Sequence, residues 1–499
     1  MEQLSFIKNS IEEYLVDNFS ADTLCEQTER KCLEDKYSRC LEVTDKFNRQ
    51  SVSYQLSKKA VLHSWLKYKE GFSADLVNIL LDEMHAQPGD LVMDPFMGSG
   101  TTSLVCQMRG INSIGYDILP TSGVAIKAKS EVYKYDIEEI KDILDKLKSL
   151  VVPKDYTKKT PYISITEYAY PEETEKYLSY ILEWMDSTTY SDEAKNLLQL
   201  GIINSLEKCS YTTKSGQYLG WDSRSLKVKL ANEDRAKKGK KPLPQKTVRG
   251  IIEPINVTVI DELSHCLDDI ILIQQSGTED TNAEIKYVNS SVLYNIPELE
   301  DDILKGVITS PPYCNRYDYT RTYALELVYL GLGDKEIKDL RQTLLSCTVE
   351  SHSKLDKLKE YYKGIDKEDR FEYIAKTISE NGPLKEVINA LNVRKDHGDL
   401  NNYGVIRMVE GYFTELAFIY AELFRICKSG AMVAFVNDNV RYGGEVIPVD
   451  FISSSLAEQF GFKVEKVYCL KQQKGNSSQQ MAKFGRVALR KSITIWKKP

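Results

Sequence analysis

The sequence predicts a doubly wound α/β sheet of about seven strands, interrupted by two largely helical insertions. Three observations predict it. An apolar run at 91–94 passes through a glycine-rich turn and a short helix into a second strand at 111–117, which makes a βαβ unit. Further strand-like runs at 284–289, 306–310, 431–437, 462–470 and 488–496 alternate with helical periodicity at 410–428 and 449–460. Long, charged, helical blocks at 120–283 and 331–409 break that rhythm.

Residues 1–60 are polar and place Leu4, Ile7, Ile11 and Leu15 at helical spacing, so a helical N-terminal extension is expected. The α/β part is then assembled from 61–119, 284–330 and 410–499. Within it, Ser73 is placed to cap a helix carrying Leu76, Val77, Leu80 and Leu81 on one face. The last two strands follow each other directly and can pair antiparallel.

A chain of 499 residues with 42% hydrophobic and 28% charged residues buries a large core in two or three domains, which excludes disordered and collagen-like classes. No uncharged apolar run of about 18 residues occurs, and the N-terminus carries acids where a signal peptide would be basic and then apolar. A cytoplasmic protein is expected. The ten cysteines form no Cys-x-x-Cys pair and the five histidines are scattered, so reduced thiols and no bound metal are expected. The net charge of −7 argues against a protein that is basic throughout, but not against local basic faces.

Two motifs carry chemistry. In DPFMGSGTT, Asp94 to Thr102, Gly98 and Gly100 let backbone approach a ligand closely, and Thr101 and Thr102 open a helix whose free N–H groups favour a polar or anionic group. No lysine follows the second glycine, which disfavours a nucleoside triphosphate. Asp117 ends the next strand, where a carboxylate can accept hydrogen bonds from both hydroxyls of a ribose. A tight structural turn and a surface aspartate is the plainer alternative. In TSPPYCNRY, Thr309 to Tyr317, Ser310, Pro311 and Pro312 form a rigid rim of acceptors beside Tyr313, again after a buried strand. Such a rim suits an exocyclic amino group with its base stacked on the ring; a simple turn is the alternative.

With both motifs present, the chain resembles the S-adenosylmethionine-dependent amino-methyltransferases of DNA, enzymes usually found in restriction-modification or phage-defence systems. The resemblance covers 63–120, 284–330 and 410–499 and implies a Rossmann-like methyltransferase sheet of seven strands. It implies that Asp94, Pro95, Phe96, Gly98, Gly100, Thr101 and Thr102 bind the methionine end of S-adenosylmethionine, with Asp117 on its ribose and Phe72 and Ser73 closing over it. Ser290 stands at the third-strand position, where the family often has an acid near the adenine ring. The tetrad Ser310, Pro311, Pro312 and Tyr313 matches the catalytic motif, and a serine at its first position points to cytosine-N4 before adenine-N6.

The amino group of either base is a poor nucleophile because its lone pair is delocalised into the ring. Acceptors at Ser310 Oγ and the Pro311 carbonyl would favour pyramidal nitrogen and in-line attack, on a base flipped out of the duplex and stacked on Tyr313. A C5-methylating enzyme would use a Pro-Cys nucleophile; no Pro-Cys occurs, and Cys314 reads as a packing residue. Arg316, Tyr317, Asp318, Tyr319 and Arg321 either contact DNA or form a solvated polar turn.

The expected partners are double-stranded DNA and a cognate restriction endonuclease or defence-system subunits. DNA contacts are expected from 224–250, with ten Lys or Arg against Glu233 and Asp234, and from the tail 463–498, with ten against Glu465. Residues 209–224 make the insertion 120–283 the candidate target-recognition module, and the amide-rich 472–486 is a candidate groove-reading loop. Two other functions stay open: a guanine-N2 methyltransferase of tRNA, and a catalytically silent nucleic-acid binder.

Overall fold

The computed structural model describes residues 11–68, 71–215, 218–245, 247–276, 281–471, 481–485 and 487–499. In chain order the strands are β1 (Leu41–Glu42), β2 (Leu91–Asp94), β3 (Asn112–Tyr116), β4 (Thr212–Ser215), β5 (Tyr218–Trp221) and β6 (Ile285–Val288). They continue as β7 (Leu304–Thr309), β8 (Cys427–Asp438), β9 (Val440–Tyr442), β10 (Glu445–Ile447), β11 (Lys463–Lys471) and β12 (Arg490–Lys497). Eight of them form one sheet in the order β1-β11-β12-β8-β7-β2-β3-β6, and the remaining four make the hairpins β4–β5 and β9–β10.

Within the large sheet only β12 runs antiparallel to its neighbours. Strands such as β7, with every residue but Lys305 buried, are continuous apolar runs because helices cover both faces. Strand order reverses between β2 and β7, which are paired through Val92↔Gly306 and Met93↔Val307. The crevice at the carboxyl ends of those two strands is the natural ligand position of a doubly wound sheet. Both sequence motifs open into it.

The sheet has one strand more than the seven expected. The addition is β1, contributed by the N-terminal extension and paired in parallel with β11 through Leu41↔Val467 and Glu42↔Tyr468. The extension is also less helical than its periodicity suggests. Among its described residues, Ile11–Tyr14 is a single 3-10 turn and the one α-helix is α1 (Thr28–Tyr37), while Leu4 and Ile7 lie outside the described residues. A two-residue strand has no alternation to detect, and α1 is held by charge: Arg30, fully buried, pairs with Glu386 and Glu445 at 2.8 and 3.0 Å.

Three further helices frame the ligand crevice: α2 (Ala74–Glu83), α3 (Thr101–Met108) and α4 (Pro120–Ser130). The helices Ile137–Ser149, Glu172–Ser187, Asp192–Leu206 and Ile255–Gln275 build a second hydrophobic core together with α4. Leu62, Trp65 and Leu66 pack into that core, fixed by Asp269, which accepts from Leu62 N at 3.0 Å and Trp65 Nε1 at 2.8 Å. The later helices Leu355–Gly364, Glu368–Glu380 and Gly382–Asp396 join the main core beside the helix Gly404–Ile426. That last helix buries sixteen of its 23 residues, as a central core helix must. Among the described residues no helix is long and apolar enough to cross a membrane.

Candidate active site

One carboxylate joins the two motifs. Asp94, at the end of β2 and 1% exposed, accepts hydrogen bonds from Phe96 N at 3.1 Å, Thr102 Oγ1 at 2.9 Å and Thr309 Oγ1 at 2.6 Å. Thr102 also reaches the Ile308 carbonyl at 3.3 Å. The glycine loop, the start of α3 and the strand entering Ser310-Pro-Pro-Tyr are thereby one hydrogen-bonded unit. Burial pushes the Asp94 carboxyl up to about 6, partly offset by these three donors. Asp94→Ala strands the donors in the interior and is expected to cost about 3 kcal/mol of stability. A thermal melt checks this; an unchanged midpoint would show the two loops to be independent.

The glycine loop is shaped by two left-handed residues, Gly98 at φ +54° and Gly100 at φ +82°. Gly98 N donates to Asp117 Oδ2 at 2.8 Å, and Leu119 N donates to Asp117 Oδ1 at 2.8 Å. Burial pushes this carboxyl up to about 7, partly offset by those two donors. Gly100 caps α3, and a Cβ there would lie 2.3 Å from Ile126 Cδ1. Beneath the loop Lys129 of α4, wholly buried, donates to the Ser99 carbonyl at 3.0 Å, and burial pulls its amine down to about 7.

A cavity opens at this edge of the sheet. Of the residues singled out from sequence, Phe72, Pro95, Phe96, Gly98, Thr101, Asp117, Ser290, Ser310 and Pro312 line it. Ser73, Asp94, Gly100, Thr102, Pro311 and Tyr313 do not. Ser73 is the N-cap of α2, its Oγ accepting from Leu76 N at 3.3 Å, so it supports the neighbouring Phe72 from behind. Asp94, Gly100 and Thr102 likewise form the frame of the loop rather than its ligand face.

Tyr313 is buried at 3% exposure beside the cavity. Ser310 Oγ donates to its hydroxyl at 3.0 Å, and Lys491 Nζ lies 4.8 Å from its ring centroid. The next thiol, Cys314, is fully buried, and burial raises its pKa far above the ordinary thiol value, which fits a packing role.

Much of the polar run after the tetrad is buried. Asp318 is 3% exposed and holds the Arg321 and Arg341 guanidiniums at 3.1 and 3.0 Å, and Tyr317 stands edge-on to Tyr319 at 4.8 Å. Arg316 adopts φ +66°, sparsely populated for a residue with a side chain.

Several lining residues were not expected from sequence to face this cavity, Tyr319 having been named only for DNA contact or a polar turn. Tyr68 and Tyr319 both line the cavity, stacked with ring centroids 6.2 Å apart and 22° between planes, and Tyr323 joins the stack. The density of tyrosines in RYDYTRTY was a signal for this. Thr343, Leu344 and Leu345 also line the cavity, although they belong to the second insertion, and nothing local in the sequence marks them.

The tail is corrected as well. Several of its basic residues are held by carboxylates: Arg490, 1% exposed, pairs with Glu34 and Asp450 at 2.7 Å each. Lys491 pairs with Asp438 at 3.4 Å, Lys498 with Asp302 at 2.7 Å, and Lys483 with Asp399. Among the described residues the tail is therefore no open basic stripe. Most of the expected groove-reading loop, 472–480 and 486, lies outside the described residues.

Comparison with known proteins adds to this geometry. A family model described as DNA methylase matches residues 7–122. The chain is 48% identical over 493 residues to the type II methyltransferase M.BsoBI of Geobacillus stearothermophilus, covering 99% of this chain and 96% of that protein. It is 36% identical over 480 residues to the type II methyltransferase M.AvaI of Anabaena variabilis, covering 94% and 93%. A shorter match, 31% over 173 residues, is to the type II methyltransferase M.MjaII of Methanocaldococcus jannaschii, covering 35% and 29%.

Proposed function

The chain belongs to the type II DNA methyltransferases, of the N6/N4 amino-methyltransferase class, and on that premise we propose that it methylates the exocyclic N4 of a cytosine flipped out of duplex DNA. The proposed methyl donor is S-adenosylmethionine. The observation that carries this reading is that Ser310 and Pro312 share one cavity with Asp117 and Gly98, braced from below by Asp94.

The residues present fit the cofactor. The cavity has apolar walls at Phe72, Phe96 and Ile118, one carboxylate at Asp117, and backbone without a Cβ at Gly98. S-adenosylmethionine, when bound, supplies an electrophilic methyl group on a sulfonium. Asp117 would accept hydrogen bonds from ribose hydroxyls, and the free amides at the start of α3 suit the carboxylate of its amino-acid end. Ser310 Oγ and the Pro311 carbonyl would accept the two amino hydrogens of the base, directing the nitrogen lone pair at the methyl group. The serine at the head of the tetrad supports cytosine. A restriction endonuclease of the same specificity is the proposed cellular partner, and 120–283 is the proposed target-recognition module.

The direct test is expression in a host without DNA methylation of its own, followed by sequencing that separates N4-methylcytosine from N6-methyladenine. One modified motif carrying N4-methylcytosine is expected. N6-methyladenine in that motif would overturn the choice of base, and unmodified DNA would overturn the reading.

Cofactor affinity should also depend on pH. Burial keeps Asp117 protonated up to about 7, whereas accepting ribose hydroxyls favours the carboxylate, so affinity should rise as pH rises through that value. Below it, affinity should fall about tenfold per pH unit. Asp117→Asn should weaken binding and flatten the profile. Calorimetry on both proteins checks this, and a flat wild-type profile would remove Asp117 from the cofactor contact.

A further inference from the structure

Residues 223–250 leave the body of the protein and rejoin it around one buried residue. That residue is Asp222, at the end of the β4–β5 hairpin and 2% exposed. It accepts from Arg224 N at 2.9 Å, from the Arg224 guanidinium at 2.9 and 3.1 Å, and from Arg249 N at 2.7 Å, and it bridges to Thr247. Arg224 closes the neck by donating to the Arg249 carbonyl at 2.7 Å. The excursion is thus pinned at its base by one carboxylate, whose pKa the Arg224 guanidinium holds well below the usual range.

Beyond the neck stands the helix Leu226–Lys237, which buries none of its residues. A helix of this length is marginal alone, so its exposed position calls for a partner. Charge identifies that partner. The excursion 225–248 carries eight Lys or Arg against Glu233 and Asp234, in a chain whose net charge is −7.

Apart from the exposed Gln245, the groups best suited to reading base edges make bonds within the excursion. Asn232 Oδ1 accepts from Leu243 N at 2.8 Å, Arg235 Nε donates to the Lys241 carbonyl at 2.7 Å, and Arg224 is committed to the neck. Lys227 is turned inward onto the Ser164 carbonyl and the Trp221 ring. Lys229, Lys237, Lys240 and Lys241 remain exposed, with no carboxylate within ion-pair distance among the described residues. A lysine is a point charge that neutralises phosphate but lacks the planar fork of base-reading arginine.

The excursion also lies on the catalytic side. Strand β5 packs against the turn Tyr319–Thr322, and Lys214 of β4 pairs with Glu326 while standing 4.5 Å from the Tyr323 ring. We infer that 225–248 is a finger that grips the phosphates of duplex DNA beside the target site and contributes affinity without reading sequence. This rests on the DNA-methyltransferase reading and assigns the finger a role distinct from target recognition.

The test uses the full-length protein with Lys229, Lys237, Lys240 and Lys241 all changed to Gln. Binding is measured by fluorescence anisotropy over a salt series on two duplexes, one with the methylated motif and one with that motif scrambled. The variant should lose about 100-fold in affinity at low salt, equally on both duplexes, and its salt slope should fall by about 3 to 4. The fourfold change to Arg should restore both. Wild-type cofactor affinity and melting temperature in the Gln variant establish that it is folded. Unchanged DNA affinity would overturn the finger, as would a loss confined to the cognate duplex or a changed methylated motif, either of which would make it a reader of bases. Failure of the wild-type protein to bind or methylate duplex DNA would instead count against the underlying reading, before any variant is made.

Discussion

Tyr313→Ala is expected to abolish methyl transfer while leaving cofactor affinity within a few-fold of wild type. The ring lies outside the lining of the shared cavity, so truncation should not disturb the groups around Asp117 and Gly98. It removes the hydroxyl that accepts from Ser310 Oγ at 3.0 Å, which sets the direction of the serine, and it removes the surface proposed to stack on the flipped base. Losing both the orientation of an acceptor and the position of the substrate should lower the rate by about 1000-fold or more. Tyr313→Phe keeps the ring and loses the hydroxyl that contacts Ser310, so its fall should be smaller, about tenfold. Truncating a buried aromatic also costs about 3 to 5 kcal/mol of stability, so single-turnover rates should be read below the melting transition of each variant. Normal turnover in Tyr313→Ala would show the tetrad to be misassigned.

Gly98→Val is expected to remove cofactor binding itself. At φ +54° a β-branched residue is strained, and a Cβ would meet Tyr68 Cε1 at 2.8 Å, inside contact distance. Tyr68 is stacked on Tyr319 and Tyr323, so its ring cannot turn aside without breaking that stack. The added side chain must also occupy cavity lining. The combined cost of about 3 kcal/mol or more corresponds to about a 100-fold weaker dissociation constant, which calorimetry would read directly. Unweakened binding would mean that the cofactor does not approach the glycine loop. The two variants separate the halves of the site: one should bind without transferring, the other should not bind.

Much of the site is legible in the amino-acid sequence alone. Gly98 and Gly100 announce left-handed backbone because other residues avoid it, and both are left-handed here. The order of apolar runs located each long strand of the sheet within a few residues, since a strand buried on both faces must be continuously apolar. β1 escaped because two residues carry no period, and its place at the edge depends on β11, more than four hundred residues away. Part of the expected basic tail is paired with carboxylates for a related reason. Counting charges along the chain cannot show that Arg490 is buried between Glu34 and Asp450, which approach it only after folding.

By itself the sequence determined the α/β class, the two loops and the kind of chemistry they support, because short-range spacing fixes backbone conformation and places polar groups at strand ends. Only the tertiary structure decided which of those residues face the cavity. It set Asp94, Thr102 and Ser73 behind the loops as braces, and it brought Tyr68 and Leu344 from separate segments to the cavity wall. It also left Lys229, Lys237, Lys240 and Lys241 of the finger exposed while Lys483 and Lys491 of the tail found carboxylates. The physical reason is that facing and pairing are relations between distant parts of the chain. They are settled when helices close over the sheet, and no local pattern of residues encodes them.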